Sequence, residues 1–97
     1  MVEKAKGRGK VVKVTFSLPS EVEADTACLV GDFNDWDENG LPMQQNSDGS
    51  FSVTLALEKG REYQFRYLVN GHQWHNDWQA DSYVSNPFGG DNSVVIT

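Results

Sequence analysis

Tyr63-Gln64-Phe65-Arg66-Tyr67-Leu68-Val69-Asn70-Gly71 decides the fold of this chain. Tyr63, Phe65, Tyr67 and Val69 recur at every second position, the period of a strand with one face buried, not the 3.6 of a helix. Arg66 falls on the opposite face. Asn70-Gly71 then supplies the strongest short hairpin signal in the chain, because both residues accept the left-handed dihedrals of a tight primed turn. The same period continues on either side. Val12, Val14, Phe16 and Leu18 alternate with polar residues until Pro19-Ser20. Thr26–Val30 reads as a second strand and Leu41–Gln44 as a short edge strand beside Pro42. Asp48-Gly49 predicts a turn into the alternating run Phe51, Val53, Leu55 and Leu57. Glu58-Lys59-Gly60 turns the chain again, a brief strand surrounds Trp74, and Ser93–Ile96 closes the set. About seven short strands with frequent turns and no convincing helix predict an all-β, immunoglobulin-like antiparallel β-sandwich, with a small barrel as the alternative.

The totals bound the function. The chain has 97 residues and a formal charge of −6, enough for one domain with one core. Residues 1–13 hold five of the eight basic residues, leaving three basic against thirteen acidic residues from position 14 onward, a net −10. An acidic body is a poor partner for a phosphate backbone, so no nucleic acid is expected. The Lys/Gly-rich residues 1–10 read as a flexible basic segment and residues 11–97 as the domain. Cys28 stands alone, which excludes an intrachain disulfide, and its apolar neighbours predict a small buried hydrophobe. No apolar run approaches the roughly 20 residues of a membrane span, and no hydrophobic region follows the basic start. The expected location is cytoplasmic, with no membrane partner.

Gly31-Asp32-Phe33-Asn34-Asp35-Trp36 sets a large flat aromatic on a turn-forming segment, and Trp74 follows the Asn70-Gly71 turn. Tryptophans presented from loops suit stacking on a sugar ring, a base or a protein; the alternative is that both fill the core. Trp78 fits core, rim and platform equally. Catalytic and metal readings are weaker. His72, His75 and Asp77 lack the spacing of structural zinc or of a helical metal motif. Asp32, Asp35, Asp37 and Glu38 crowd one loop, whereas glycoside hydrolysis needs two carboxyls facing across a bond, about 5–10 Å apart; a solvated acidic loop is expected. No catalytic residue, metal ligand or cofactor is predicted.

Val30–Trp36, Gly49–Leu57, Tyr63–Gly71 and Asp91-Asn92-Ser93-Val94-Val95, in this order, resemble the glycogen- and starch-binding module at the N-terminus of isoamylases and branching enzymes. This is carbohydrate-binding module family forty-eight, an early-set immunoglobulin-like sandwich. The chain is also similar to the glycogen-binding domain of the AMP-activated kinase β subunit. The resemblance implies a non-catalytic module for α-glucan polysaccharide or maltooligosaccharide, the family's chemistry residing in a separate barrel. It implies that Trp36 and Trp74 stack on glucose, Trp74 reaching its place if His72 is a one-residue insertion. Arg66 holds the place of a lysine that contacts hydroxyls, trading a compact ammonium for a planar fork. Phe88 stands where the family has a glucan-probing leucine, Gly90 replaces a threonine, and Asn92 matches an asparagine. Asn92 read on its own could equally cap a turn. The segment from Asn76 to Phe88 is longer than in the family. The alternative is a structural or protein-interaction module, partnered by a catalytic domain or another protein, with sugar binding weakened or lost.

Overall fold

The computed structural model describes residues 2–38, 40–87 and 90–97. In chain order its strands are β1 (Val2–Lys6), β2 (Val11–Leu18), β3 (Ala27–Gly31), β4 (Leu41–Pro42), β5 (Gln44–Gln45), β6 (Phe51–Glu58), β7 (Glu62–Val69), β8 (Gln73–His75), β9 (Ser82–Ser85) and β10 (Asp91–Ile96). They form two antiparallel sheets, ordered β1-β2-β6-β5 and β4-β3-β7-β10-β9. The short β8 pairs with the second half of β7, on the edge whose first half pairs with β10. The expected all-β sandwich is what the chain forms, its count of about seven strands raised to ten by short edge pieces. A 3-10 turn, Asp32–Asn34, follows β3.

The alternating residues make the core. Val14, Phe16 and Leu18 of β2 meet Phe65, Tyr67 and Val69 of β7, with Leu29, Phe51, Leu57 and Val95 around them. Phe16 and Phe65 pack edge to face with centroids 4.9 Å apart, and Phe65 and Tyr67 do so at 5.7 Å, the geometry that ring quadrupoles favour. Tyr67 is fully buried and donates its hydroxyl to Asp77 Oδ2 at 2.6 Å. Asp77 is buried too; its Oδ1 accepts the Gln79 N–H at 2.8 Å, and its own N–H donates to Ser93 Oγ at 2.8 Å. The carboxylate weighed with His72 and His75 as a metal ligand therefore serves the core.

Three expectations are corrected. Residues 2–6, read as part of a flexible basic segment, form strand β1, paired with β2 from Val2↔Phe16 to Lys6↔Val12. Val2 packs against the core, and Lys4, on the core-facing side, reaches Asp81 Oδ2 at 2.6 Å; that oxygen also accepts the Ile96 N–H at 2.7 Å. Leu41–Gln44 is not one strand. Leu41–Pro42 pairs with β3 and Gln44–Gln45 with β6, while Met43 turns into the core and donates its N–H to Ala27 O at 2.9 Å. Pro42 has no N–H to continue a ladder, so the segment crosses from one sheet to the other there. Cys28 is only half-buried, because Ala27 and Leu29 occupy the core face of β3 and leave it on the outer face.

Burial first, and then the Asp77 carboxylate, push the Tyr67 phenol well above its ordinary value of 10.0. The folded protein keeps this proton at pH values where the unfolded chain releases it. The stabilisation is therefore complete below pH 10 and is lost as pH rises beyond it. Thermal melts are expected to fall above about pH 10. Tyr67→Phe should remove that component and cost about 1–3 kcal/mol at neutral pH, since it strips a donor from a buried carboxylate. Gly31→Ala is expected to be more damaging to melting temperature than an ordinary surface change. A Cβ there would lie 2.4 Å from Gln64 O and 2.9 Å from the Phe65 Cβ, both on the central strand.

Candidate functional site

The site is built on the outer face of the larger sheet. After β3, Phe33 returns to the core, its ring 5.6 Å from Phe16 and 6.1 Å from Tyr63. Asn34 folds back, its Oδ1 accepting the Gly31 N–H at 3.0 Å. The chain then enters two successive left-handed residues, Asp35 at φ 56° and Trp36 at φ 58°, and the Trp36 N–H closes onto Gly31 O at 2.9 Å. This sequence of anchors carries Trp36 away from the core face. Its indole N–H donates to Asp32 Oδ1 at 2.9 Å, and Asp32 Oδ2 accepts the Gln64 N–H at 2.7 Å. Asp35, Asp37 and Glu38 are exposed, as expected of an acidic loop; Asp32, although exposed, is tied at both oxygens.

The second arm is the β7–β8 hairpin. Asn70 and Gly71 have φ of 53° and 77°, and the His72 N–H donates to Val69 O at 3.2 Å. Pairing resumes at Val69↔Gln73, so residues 70–72 form a three-residue loop that accommodates His72. Trp74 lies opposite Leu68, and direct partners share a face. Arg66, two residues before Leu68, is on that face as well. The Arg66 guanidinium carbon sits 5.7 Å from the Trp74 ring centroid, within reach of a cation–π attraction. Arg66 Nε is buried without a hydrogen-bond partner among the described residues.

The third arm comes from β9 and β10. Asn86 Nδ2 donates to Asn92 Oδ1 at 3.2 Å, and Asn92 Nδ2 donates to Gln64 Oε1 at 3.1 Å. This chain of amides fixes which end of Asn92 faces which neighbour. Gly90 N–H is held by Asn86 Oδ1 at 3.1 Å.

These arms enclose an open groove of about 520 Å³ lined by Trp36, Arg66, Trp74, Asn86, Pro87 and Asn92. Trp36, Arg66, Trp74 and Asn92, singled out in the sequence, are thus brought together. Phe88 lies outside the described residues. Asn86 and Pro87 were missed; the Asn-Pro dipeptide marks a turn start, but nothing local says that the turn faces the groove. Trp78 is no core residue. It is 68% exposed and lines a different, small cleft with Pro19, Val22 and Asp77. The groove offers two indole rings, one guanidinium and two carboxamides. With the Pro87 ring these make a surface whose chemistry is stacking and hydrogen bonding.

Comparison with known proteins agrees with this architecture. Over 62 residues, 61% of its length, the chain is 36% identical to the 1,4-alpha-glucan branching enzyme GlgB of Aquifex aeolicus (strain VF5), of which the matched region covers only 10%. Residues 4–88 match Carbohydrate-binding module 48 (Isoamylase N-terminal domain), a match that starts within β1 and runs through both sheets. The chain therefore belongs to carbohydrate-binding module family 48, the isoamylase N-terminal domain family.

Proposed function

We propose that the chain is a non-catalytic module that binds α-glucan, as glycogen, starch or maltooligosaccharide, through tryptophan stacking. The carrying observation is the convergence of Trp36, Arg66, Trp74 and Asn92, from four separated segments, on one groove. The α-glucan class is further supported by the family and by the 1,4-alpha-glucan in the name of the similar branching enzyme. Pyranose C–H faces are apolar and slightly positive, and an indole face is flat and electron-rich. Trp36 and Trp74 stack on glucosyl units, Arg66 donates to hydroxyls or ring oxygens, and Asn92 fixes a further hydroxyl. Phe88 supplies the apolar contact that the family resemblance implies. No cofactor or metal takes part.

By analogy with aromatic stacking on nucleic-acid bases, each platform contributes about 1–2 kcal/mol. Two platforms plus a few hydrogen bonds give micromolar to millimolar affinity, not nanomolar. Avidity then comes from the polymer, which presents many equivalent segments.

One observation favours a second reading: Trp78, 68% exposed and outside the groove, is the kind of side chain that anchors a protein contact. On that reading the domain docks to a catalytic domain or another protein, and sugar leaves its tryptophans unaffected.

Titration of tryptophan fluorescence with maltoheptaose or β-cyclodextrin separates the two. A saturable change is expected, with Trp36→Ala and Trp74→Ala each weakening binding by about 5- to 30-fold. No response at millimolar sugar, or unchanged binding in the double variant, would overturn the glucan reading.

A further inference from the structure

We infer that Asp32 is a positioning residue that locks the Trp36 ring in its ligand-ready orientation before any ligand arrives. The inference rests on the glucan reading and assigns a role that stacking alone does not require. Trp36 and the preceding Asp35 both hold positive φ. A left-handed conformation is rare for a bulky residue and persists only where the surroundings over-determine it. The Trp36 N–H bond to Gly31 O and the Asn34 bond to the Gly31 N–H fix the backbone. Neither acts on the indole, whose two side-chain torsions are left free to swing. The bond from Trp36 Nε1–H to Asp32 Oδ1 does act on it, at 2.9 Å.

The acceptor is itself immobilised. Asp32 Oδ2 takes the Gln64 N–H at 2.7 Å, just beyond the last β3–β7 pair, Gly31↔Phe65. One carboxylate thus continues the ladder of the central strand and holds the loop tryptophan. Gln64 is two residues from Arg66 on the same strand, and its Oε1 accepts from Asn92. Asp32 therefore ties Trp36 to the strand that carries Arg66 and that, through Gln64, holds Asn92. With its N–H consumed, the indole keeps its π-faces as its means of holding a ligand. A ring already held in place loses less conformational entropy on binding.

The chemistry selects aspartate. Both oxygens accept, and both facing groups donate. Asparagine can satisfy one donor only by aiming its NH2 at the other, so Asp32→Asn should act nearly as Asp32→Ala does.

The test combines maltoheptaose titration with a proton–nitrogen NMR spectrum of the indole N–H groups, recorded without sugar. Asp32→Ala and Asp32→Asn are expected to shift the Trp36 indole resonance, speed its exchange with water, and weaken binding by about tenfold. Glu38→Gln, which removes the same charge from the same loop, should change neither readout. Trp36→Phe keeps a ring but has no N–H, so Asp32→Ala placed on Trp36→Phe should cause no further loss of affinity. An unmoved indole resonance, unchanged affinity in the Asp32 variants, or penalties that simply add in the double variant would overturn the assignment. If Asp32→Ala does not fold, Asp32→Asn carries the same readouts. If the unaltered protein ignores maltoheptaose, the glucan reading falls, and the indole resonance alone decides whether Asp32 holds Trp36.

Discussion

Everything in this domain hangs on the two-residue alternation along β7. One parity, Phe65, Tyr67 and Val69, fills the sandwich. The other, Gln64, Arg66 and Leu68, faces out. Because β7 pairs with β3 on one side and with β10 and β8 on the other, its register dictates which residues of those strands join each face. Val30 stands opposite Arg66, Trp74 opposite Leu68, and Val94 opposite Gln64. A slip of one residue would bury Arg66 and expose three aromatic or branched side chains, a cost no sugar contact could offset. The face on which the groove lies is in this sense a by-product of core packing.

Much of that logic is legible in the sequence because it is local. The alternation of Val12–Leu18, Phe51–Leu57 and Tyr63–Val69, and the turns at Asp48-Gly49 and Asn70-Gly71, follow from residue type and spacing alone. Trp36 and Trp74 could be singled out because a large ring beside turn-forming residues has few ways to be buried. The relations that escaped are non-local. Val2–Lys6 looks like a basic tail until β2 offers an open edge for it. Asp77, which the sequence sets beside His72 and His75, shows its role only when Tyr67, ten residues earlier, turns its hydroxyl toward it. Asn86 gains its place through Asn92 on β10, which Gln64 on β7 holds in turn. Cys28 was misjudged for a subtler reason. An apolar run says that a strand is buried, but parity decides which of its residues face the core.

The two ends of the groove are held by different means. Trp74 sits on a paired strand, so backbone hydrogen bonds and cross-strand contact with Leu68 fix its direction. Trp36 lies beyond the end of β3 and depends on a short turn closed by Asn34 and on side-chain bonds. Arg66, between ring and strand, is half-buried and makes no ion pair among the described residues. Its attraction to the Trp74 face occupies no N–H donor with a carboxylate.

The Lys4–Asp81 contact has a consequence for how this domain lives among its own copies. β1 is the outer strand of the smaller sheet, and an outer strand offers unpaired N–H and C=O groups to any passing chain. Here that strand carries Lys4 on its inward side, paired with Asp81 of this same molecule, while Lys6 follows on the same side. A second molecule adding its own β1 would have to bring lysine against lysine, or break the clasp to Asp81. One side chain thus both charges the open edge and ties it to the opposite sheet, in a segment whose composition alone would pass for a tail.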